Sequence, residues 1–255
     1  MLRALWTSKT GLAAQQDRLD LISQNISNSS TTGYKQMTSG FKDLYTESLD
    51  RLGYPIKDKN AATGTGVRTT NWYENSKQGA LQSTGQATDL AIEGEGNYFR
   101  LTNARGEKVY TRDGSFQIDS AGKLVDSNGN RLDIEYANGK ENTFLNGSNM
   151  SINSSGEIYQ KNNNNEYEYI GKINTYTAVG SSAFITIGDN LYVPSEGARV
   201  TQGNAKIHQG YLEASNVDLA QEFTDMIVAQ RAFQLSSKAL QTADELWGDV
   251  NNMRK

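Results

Sequence analysis

Apolar residues return at every seventh position near both ends of the chain and at alternate positions in its middle. Leu5, Leu12, Leu19 and Ile26 form one seven-residue series, with Leu2 and Ile22 beside it. Such a repeat keeps one narrow apolar stripe of a helix against a partner, so the spacing predicts an N-terminal coiled-coil helix. Lys9, Gln15, Gln16, Asp17 and Arg18 leave the rest of that helix polar. Gly11 weakens its interior by about 1 kcal/mol relative to alanine. The run Asn28-Ser29-Ser30-Thr31-Thr32-Gly33 ends it, because its side chains compete for backbone bonds. At the other end Leu219, Met226, Phe233, Leu240 and Trp247 form a second series, with Ala229, Ser236, Ala243 and Val250 three residues later. Large residues there alternate with small ones, as in a packed heptad seam. Ser215-Asn216-Val217-Asp218 supplies cap candidates; Asp218 and Glu222 suit the positive end of the helix dipole, and Arg254 and Lys255 the negative end.

The middle reads differently. Most of the 24 glycines fall between Gly64 and Gly210, and the two prolines are Pro55 and Pro194. Short runs at 98–101, 109–112, 115–118 and 123–125 are followed by Asp113-Gly114, Ala121-Gly122 and Asn128-Gly129, which are hairpin signals. Further strands are expected at 157–160 and 167–173, either side of the asparagine run 162–165. No helical period interrupts the region, so the sheets should be antiparallel. The fold class is therefore α+β, with N- and C-terminal coiled-coil helices paired around a central, mainly antiparallel β domain. The chain divides into an N-terminal helix (1–40), a connector (41–64), a β-rich domain (65–209) and a C-terminal helix (210–255). Within the connector, Leu44, Leu49 and Leu52 could continue a helix briefly before Gly53-Tyr54-Pro55 stops it, leaving 58–64 extended.

Composition removes most chemistry. Lys and Arg number 25 against 29 Asp and Glu in 255 residues, a net charge of −4 without a basic run, which excludes a nucleic-acid partner. Cysteine is absent and His208 is the single histidine, so zinc-thiolate sites, three-histidine sites and cysteine nucleophiles cannot be built. No apolar run approaches the roughly 20 residues of a membrane span, and the opening residues lack the apolar stretch of a cleaved signal peptide. His208 lies in a strand-like segment without a nucleophile motif and reads as structural. Gly64-Thr65-Gly66 and Gly94-Glu95-Gly96 do not complete a phosphate loop. Asp126-Ser127-Asn128-Gly129-Asn130 resembles part of a calcium loop but reads as a hairpin turn. Glu93 with Glu95, or Asp113 with Asp119, could form a glycosidase pair only at a separation that sequence does not give. The tyrosine-rich strands could offer a sugar platform, although alternating aromatics usually pack a sheet. No catalytic residue, cofactor or metal is expected.

The heptads carry the functional information, and they allow two readings. The terminal helices could close on each other within one molecule, or their stripes could require neighbouring copies. A single helix pair would leave Trp6, Leu21, Phe223 and Ile227 in water, and burying each is worth about 1.5–3 kcal/mol. Head-to-tail packing of such surfaces makes a helical polymer rather than a closed oligomer. The expected assembly residues are Leu5, Leu12, Leu19, Ile22, Ile26, Leu219, Phe223, Met226, Phe233, Leu240, Ala243 and Trp247.

Several blocks together resemble one family. Asn25-Ile26-Ser27-Asn28, followed by Thr32-Gly33-Tyr34-Lys35, is similar to the N-terminal signature of the flagellar rod and hook proteins, the axial proteins of the bacterial flagellum. Residues 81–85, 89–99 and 110–116 resemble that family's middle motifs. Residues 209–218, containing Ser215, Asn216 and Val217, and residues 226–233 resemble its C-terminal signature. The likeness covers essentially the whole chain and is nearest to the distal-rod members, with proximal rod and hook subunits as the alternative. It implies a non-enzymatic basal-body subunit whose terminal helices interlock into a hollow, torque-transmitting shaft, with the β domain outside. The implied partners are further copies of itself, other rod and hook proteins, and the flagellar type III export apparatus, which would carry it without a cleaved signal. The bottom-up alternative is a surface β domain that binds carbohydrate or protein and uses its helices as an internal clasp.

Overall fold

The computed structural model describes residues 2–48, 62–141, 143–162, 166–178, 180 and 183–253. The expected helix stop at 53–55, the extended segment at 58–61, Leu49, Leu52, the asparagines at 163–165 and the terminal Arg254 and Lys255 lie outside them. Two compact units are present, one made of 1–27, 37–74 and 218–255, the other of 28–36 and 75–217.

The first unit holds both long helices, α1 (Leu2–Ser27) and α2 (Leu219–Asn252). They pack on each other, and three cross-contacts set an antiparallel direction. An added Cβ at Gly11 would lie 3.6 Å from Ser236 Oγ, Arg18 pairs with Asp225 at 3.0 Å, and Asn25 donates to Glu222 at 3.0 Å. Asp218 caps α2 as expected, accepting from the amides of Ala220 and Gln221. Between the helices in sequence come β1 (Met37–Thr38), β2 (Phe41–Asp43), β3 (Thr46–Ser48), β4 (Ala62–Gly64), β5 (Val67–Thr69) and β6 (Tyr73–Glu74). They pair as β1 with β6, β2 with β5 and β3 with β4, always antiparallel; β2–β5 and β3–β4 share one register from Phe41↔Thr69 to Ser48↔Ala62, and β1–β6 is offset from it by one residue. The expected helical continuation at Leu44 is therefore one arm of a β-ribbon. Its residues lack the 3.6-residue apolar period, and every residue of β2 is exposed. The ribbon rests on α1, where Thr10 Oγ1 accepts from Val67 N and Thr69 donates to Asp17 at 2.7 Å. α1 packs on β5, and Leu21, expected to be left exposed, is buried in this unit.

The second unit is built of β7 (Leu81–Ser83), β8 (Leu90–Glu93), β9 (Asn97–Thr102), β10 (Lys108–Thr111), β11 (Gln117–Ile118), β12 (Leu124–Val125), β13 (Arg131–Leu132), β14 (Ile134–Tyr136), β15 (Met150–Ile152), β16 (Glu157–Lys161), β17 (Tyr167–Ile173), β18 (Thr175–Ala178), β19 (Phe184–Gly188), β20 (Leu191–Pro194), β21 (Val200–Gln202), β22 (Lys206–Gln209) and β23 (Tyr211–Glu213). Among the described residues, one nine-stranded sheet runs β11-β12-β13-β9-β10-β20-β19, with β18 joining β9 to β21. A four-stranded sheet runs β14-β17-β16-β15, and β8 pairs with β22 and β7 with β23. All pairings are antiparallel. Strand alternation separates two apolar clusters across β9 and β10. Phe99, Leu101 and Val109 face the main core with Leu90, Ile92, Phe116, Ile158 and Ile170, whereas Tyr98 and Tyr110 turn to the other side. There they meet Tyr176, Tyr192 and Phe184 with ring centroids 4.6–6.0 Å apart. These tyrosines are sheet packing rather than a platform, and burial pushes the Tyr110 and Tyr176 phenols above their ordinary pKa.

Four hairpin turns share one design. Asn103, Asp119, Asp126 and Asn153 each use a side-chain oxygen to accept from the amides two and four residues on, and a glycine three residues on closes the turn in the left-handed region. This is a type I turn followed by a left-handed glycine. The 126–130 segment, weighed above as a calcium loop, is one of the four. Asp113-Gly114 is not a hairpin turn. Gly114 is required because an added Cβ would fall 1.6 Å from Leu90 O, where β8 crosses.

Candidate assembly surface and the residues that brace it

On α2 the residues toward α1 follow the heptad. Glu222, Ala229 and Ala243 are buried, and Met226, Phe233, Ser236 and Leu240 are half-buried. On α1, Ile22 is buried and Leu5, Leu12, Leu19 and Ile26 are half-buried. Nine of the twelve residues expected at the assembly interface are thus buried or half-buried within one molecule. The remaining three are exposed: Leu219 at 42%, Phe223 at 51% and Trp247 at 46%. Val250, expected to extend the seam, is exposed as well. Exposed beside them are Trp6 at 55%, Ile227 at 60% and Leu235 at 70%. Given the antiparallel contacts, α1 begins opposite about residue 244 of α2, so the last two turns of α2 run on without α1 beside them. Leu246, Val250 and Met253 line a shallow hollow there with Asp249 and Asn252.

The motif residues do different work: they brace the units. In the helical unit Asn25 is buried, and its carboxamide both donates to Met37 O and accepts from Met37 N, each at 2.9 Å, while also donating to Glu222. One side chain therefore imitates a strand partner for β1 and ties α1 to α2. In the β unit Asn216 repeats the device, accepting from Gln36 N at 2.7 Å and donating to the carbonyls of Asn75 and Lys77. Ser215 Oγ accepts from Val217 N, and Asn28 accepts from Thr31.

A buried ionic knot lies at the centre of that bracing. Glu213 accepts from Lys35 Nζ at 2.5 Å, from Arg112 Nη1 at 3.0 Å and from Gly79 N at 2.8 Å. All three charged side chains are 1–2% exposed. Lys35 also donates to Lys77 O, and Arg112 to Gly94 O. Gly33 makes the close approach possible. Its φ is 69°, its amide donates to Glu213 O at 2.8 Å, and an added Cβ would sit 2.6 Å from Asp113 N. Thr32 donates to Asp113 at 2.8 Å, and Tyr34 is buried. Sequence reasoning found Lys35 and Gly33 but missed the roles of Glu213 and Arg112, and it read Glu222 only as a helix-dipole residue. Glu213 and Arg112 stood inside quoted motif blocks, where a charge surrounded by apolar and turn residues was the available signal. His208 bridges to Glu93 at 3.0 Å on the solvent side of the β8–β22 pair, and that hydrogen bond, with Lys206 nearby, lowers the Glu93 pKa. Glu95 is exposed, and Asp113 and Asp119 each accept hydrogen bonds within their turns.

These braces tie residues 25–36 to residues 213–222, joining the two termini of the sequence, and matches to known proteins fall on the same stretches. Residues 5–35 match the family described as flagella basal body rod protein, residues 91–160 the flagellar hook protein FlgE/F/G D1 domain, and residues 208–253 the flagellar basal body rod FlgEFG protein C-terminal region. The flagellar basal-body rod protein FlgG of Borreliella burgdorferi is 35% identical over the full length of both chains. FlgG of Bacillus subtilis is 33% identical, again over both full lengths. The chain belongs to the flagellar basal-body rod family. The hook-basal body complex protein FlhP of Bacillus subtilis is more distant, at 29% identity over both full lengths. As a rod protein the chain is a structural subunit of the flagellar basal body, and Asn25, Gly33, Lys35 and Asn216 are scaffold residues within it.

Proposed function

We propose that this rod protein is a distal-rod subunit that polymerises with copies of itself through residues 1–40 and 210–255, while 65–209 adds lateral contacts around the shaft. The subunits would reach the growing end through the type III export channel and, once stacked, transmit torque. The observation that carries the assembly reading is the apolar surface left on the helical unit after α1 and α2 have paired: Phe223, Ile227 and Leu235 are more than half exposed. Burying side chains of this size yields about 1.5–3 kcal/mol each, enough to drive association of many weakly stable contacts.

The location of each residue decides the test. Phe233→Asp would put a charge into the in-chain seam and unfold the hairpin, so it does not isolate assembly. Phe223→Asp changes an exposed side chain. The expected outcome is a monomer with unchanged helix content by circular dichroism, together with loss of rods and of motility in cells carrying only the variant. Normal rods built from Phe223→Asp subunits would refute this surface as the joint.

A further inference from the structure

The nine-stranded sheet of the β unit lines up one row of side chains whose charges are not balanced. Lys108 on β10 and Arg131 on β13 both stand directly opposite Thr102 on β9. The row continues through Val125 on β12 to Gln117 on β11. Residues opposite one another across a ladder point to the same face, so all five share it. Lys108, Arg131 and Gln117 are exposed there, and Thr102 and Val125 are half-buried. A third exposed cation, Arg105, sits in the turn that joins β9 to β10. The acids nearest in sequence are engaged or turned away. Glu107 falls on the opposite face, where it accepts from Asn103. Asp126 accepts from the turn amides of Asn128 and Asn130, and Asp133, one step along the strands, is clasped by Arg100. Among the described residues Arg105, Lys108 and Arg131 have no ion pair, whereas elsewhere on this unit Lys140 pairs with Glu168.

We propose that Thr102, Lys108 and Arg131, with Arg105 at the rim, form a binding site for a phosphate group. Neighbouring strands lie about 4.8 Å apart, so the two cations flank Thr102 at about 10 Å from each other. An oxyanion seated over Thr102 is within reach of both long side chains. The Arg131 fork takes two oxygens, Lys108 Nζ a third, and the Thr102 hydroxyl donates to the group from below. A tetrahedral phosphate has an oxygen for each of these donors, whereas a planar carboxylate has only two. The chain as a whole carries a net charge of −4, so the attraction is local to this row rather than general. The site lies on the β unit and does not depend on the assembly reading. Inorganic phosphate and a phospholipid headgroup offer the same chemistry, and the experiment separates the two sources.

The full-length chain is titrated with inorganic phosphate while the amides of Thr102, Lys108 and Arg131 are followed by NMR. In parallel it is sedimented with vesicles of phosphatidylglycerol in phosphatidylcholine. Saturable shifts confined to this row and lost in the Lys108→Gln, Arg131→Gln double variant support the site with free phosphate as its ligand. Cosedimentation lost in the same variant, without saturation by inorganic phosphate, supports it with the headgroup as the source. Each single substitution is expected to weaken binding about fivefold and the pair about 25-fold. Both side chains are exposed, so the thermal midpoint should not move. Arg199→Gln removes another exposed cation of the same unit and should leave binding unchanged. An equal loss from Arg199→Gln, undiminished binding by the double variant, or no saturable binding of either probe would each overturn the site.

Discussion

The two units of this rod protein bury different things. The β unit encloses a continuous core in which Leu90, Phe99, Leu101, Leu124, Leu145 and Ile158 have no measurable exposure. The helical unit contains a 34-residue helix whose fully buried residues are Glu222, Ala229 and Ala243. Its large side chains are half-covered or in water. A unit whose longer helix hides alanines and displays Phe223 and Leu235 has not finished burying its apolar surface, whereas the β unit holds a fully enclosed core even though Phe144, Ile185 and Ile187 stay exposed on it. The comparison separates a self-sufficient domain from one whose stability is completed by association.

The sharpest way to break the contrast is at the ionic knot. Glu213→Ala leaves Lys35 and Arg112 buried without their carboxylate, and the expected loss is about 3–5 kcal/mol. Urea unfolding followed by tyrosine fluorescence should show the β transition moving to much lower denaturant, with assembly lost as a consequence. A midpoint unchanged from the parent would mean that the knot contributes no net pairing. A smaller effect is expected in the helical unit. Asn25→Ala strands the Met37 backbone and removes one donor from Glu222, at about 1–3 kcal/mol for a buried unsatisfied group. Faster hydrogen exchange at Met37 and along α1, with β-unit amides unchanged, is the measurement that checks it. Uniform protection across both units would dissolve the distinction drawn here.

The smallest effect belongs to the surface pair on β8 and β22. The Glu93 pKa is lowered in the folded chain, mainly by the His208 hydrogen bond, so its contribution is present above the unfolded carboxylate pKa and disappears as pH falls through the folded value. Glu93→Gln should therefore differ slightly from the parent in thermal midpoint near neutral pH, and the two should converge in acid. A gap that widens on acidification would reverse the assigned sign.

Much of this was legible beforehand. The heptads placed both helices, and the Asx and glycine positions marked the turns that link β11 to β12 and β12 to β13. The ribbon of 37–48 and 62–74 was not, because its two- and three-residue strands lie largely in water and never establish an apolar alternation. The knot was invisible for another reason. Lys35, Arg112 and Glu213 are brought together only by tertiary structure, and each alone resembles an ordinary surface charge.

The four matching turns have a consequence for how the molecule would regain its shape under the proposed export as an extended strand. Each closes within five residues and fixes its hairpin register without reference to distant parts. A chain arriving one end first can thus set these local registers as it emerges. The slow search is left to the meeting of residue 35 with residue 213, which must wait until nearly the entire polypeptide has come through.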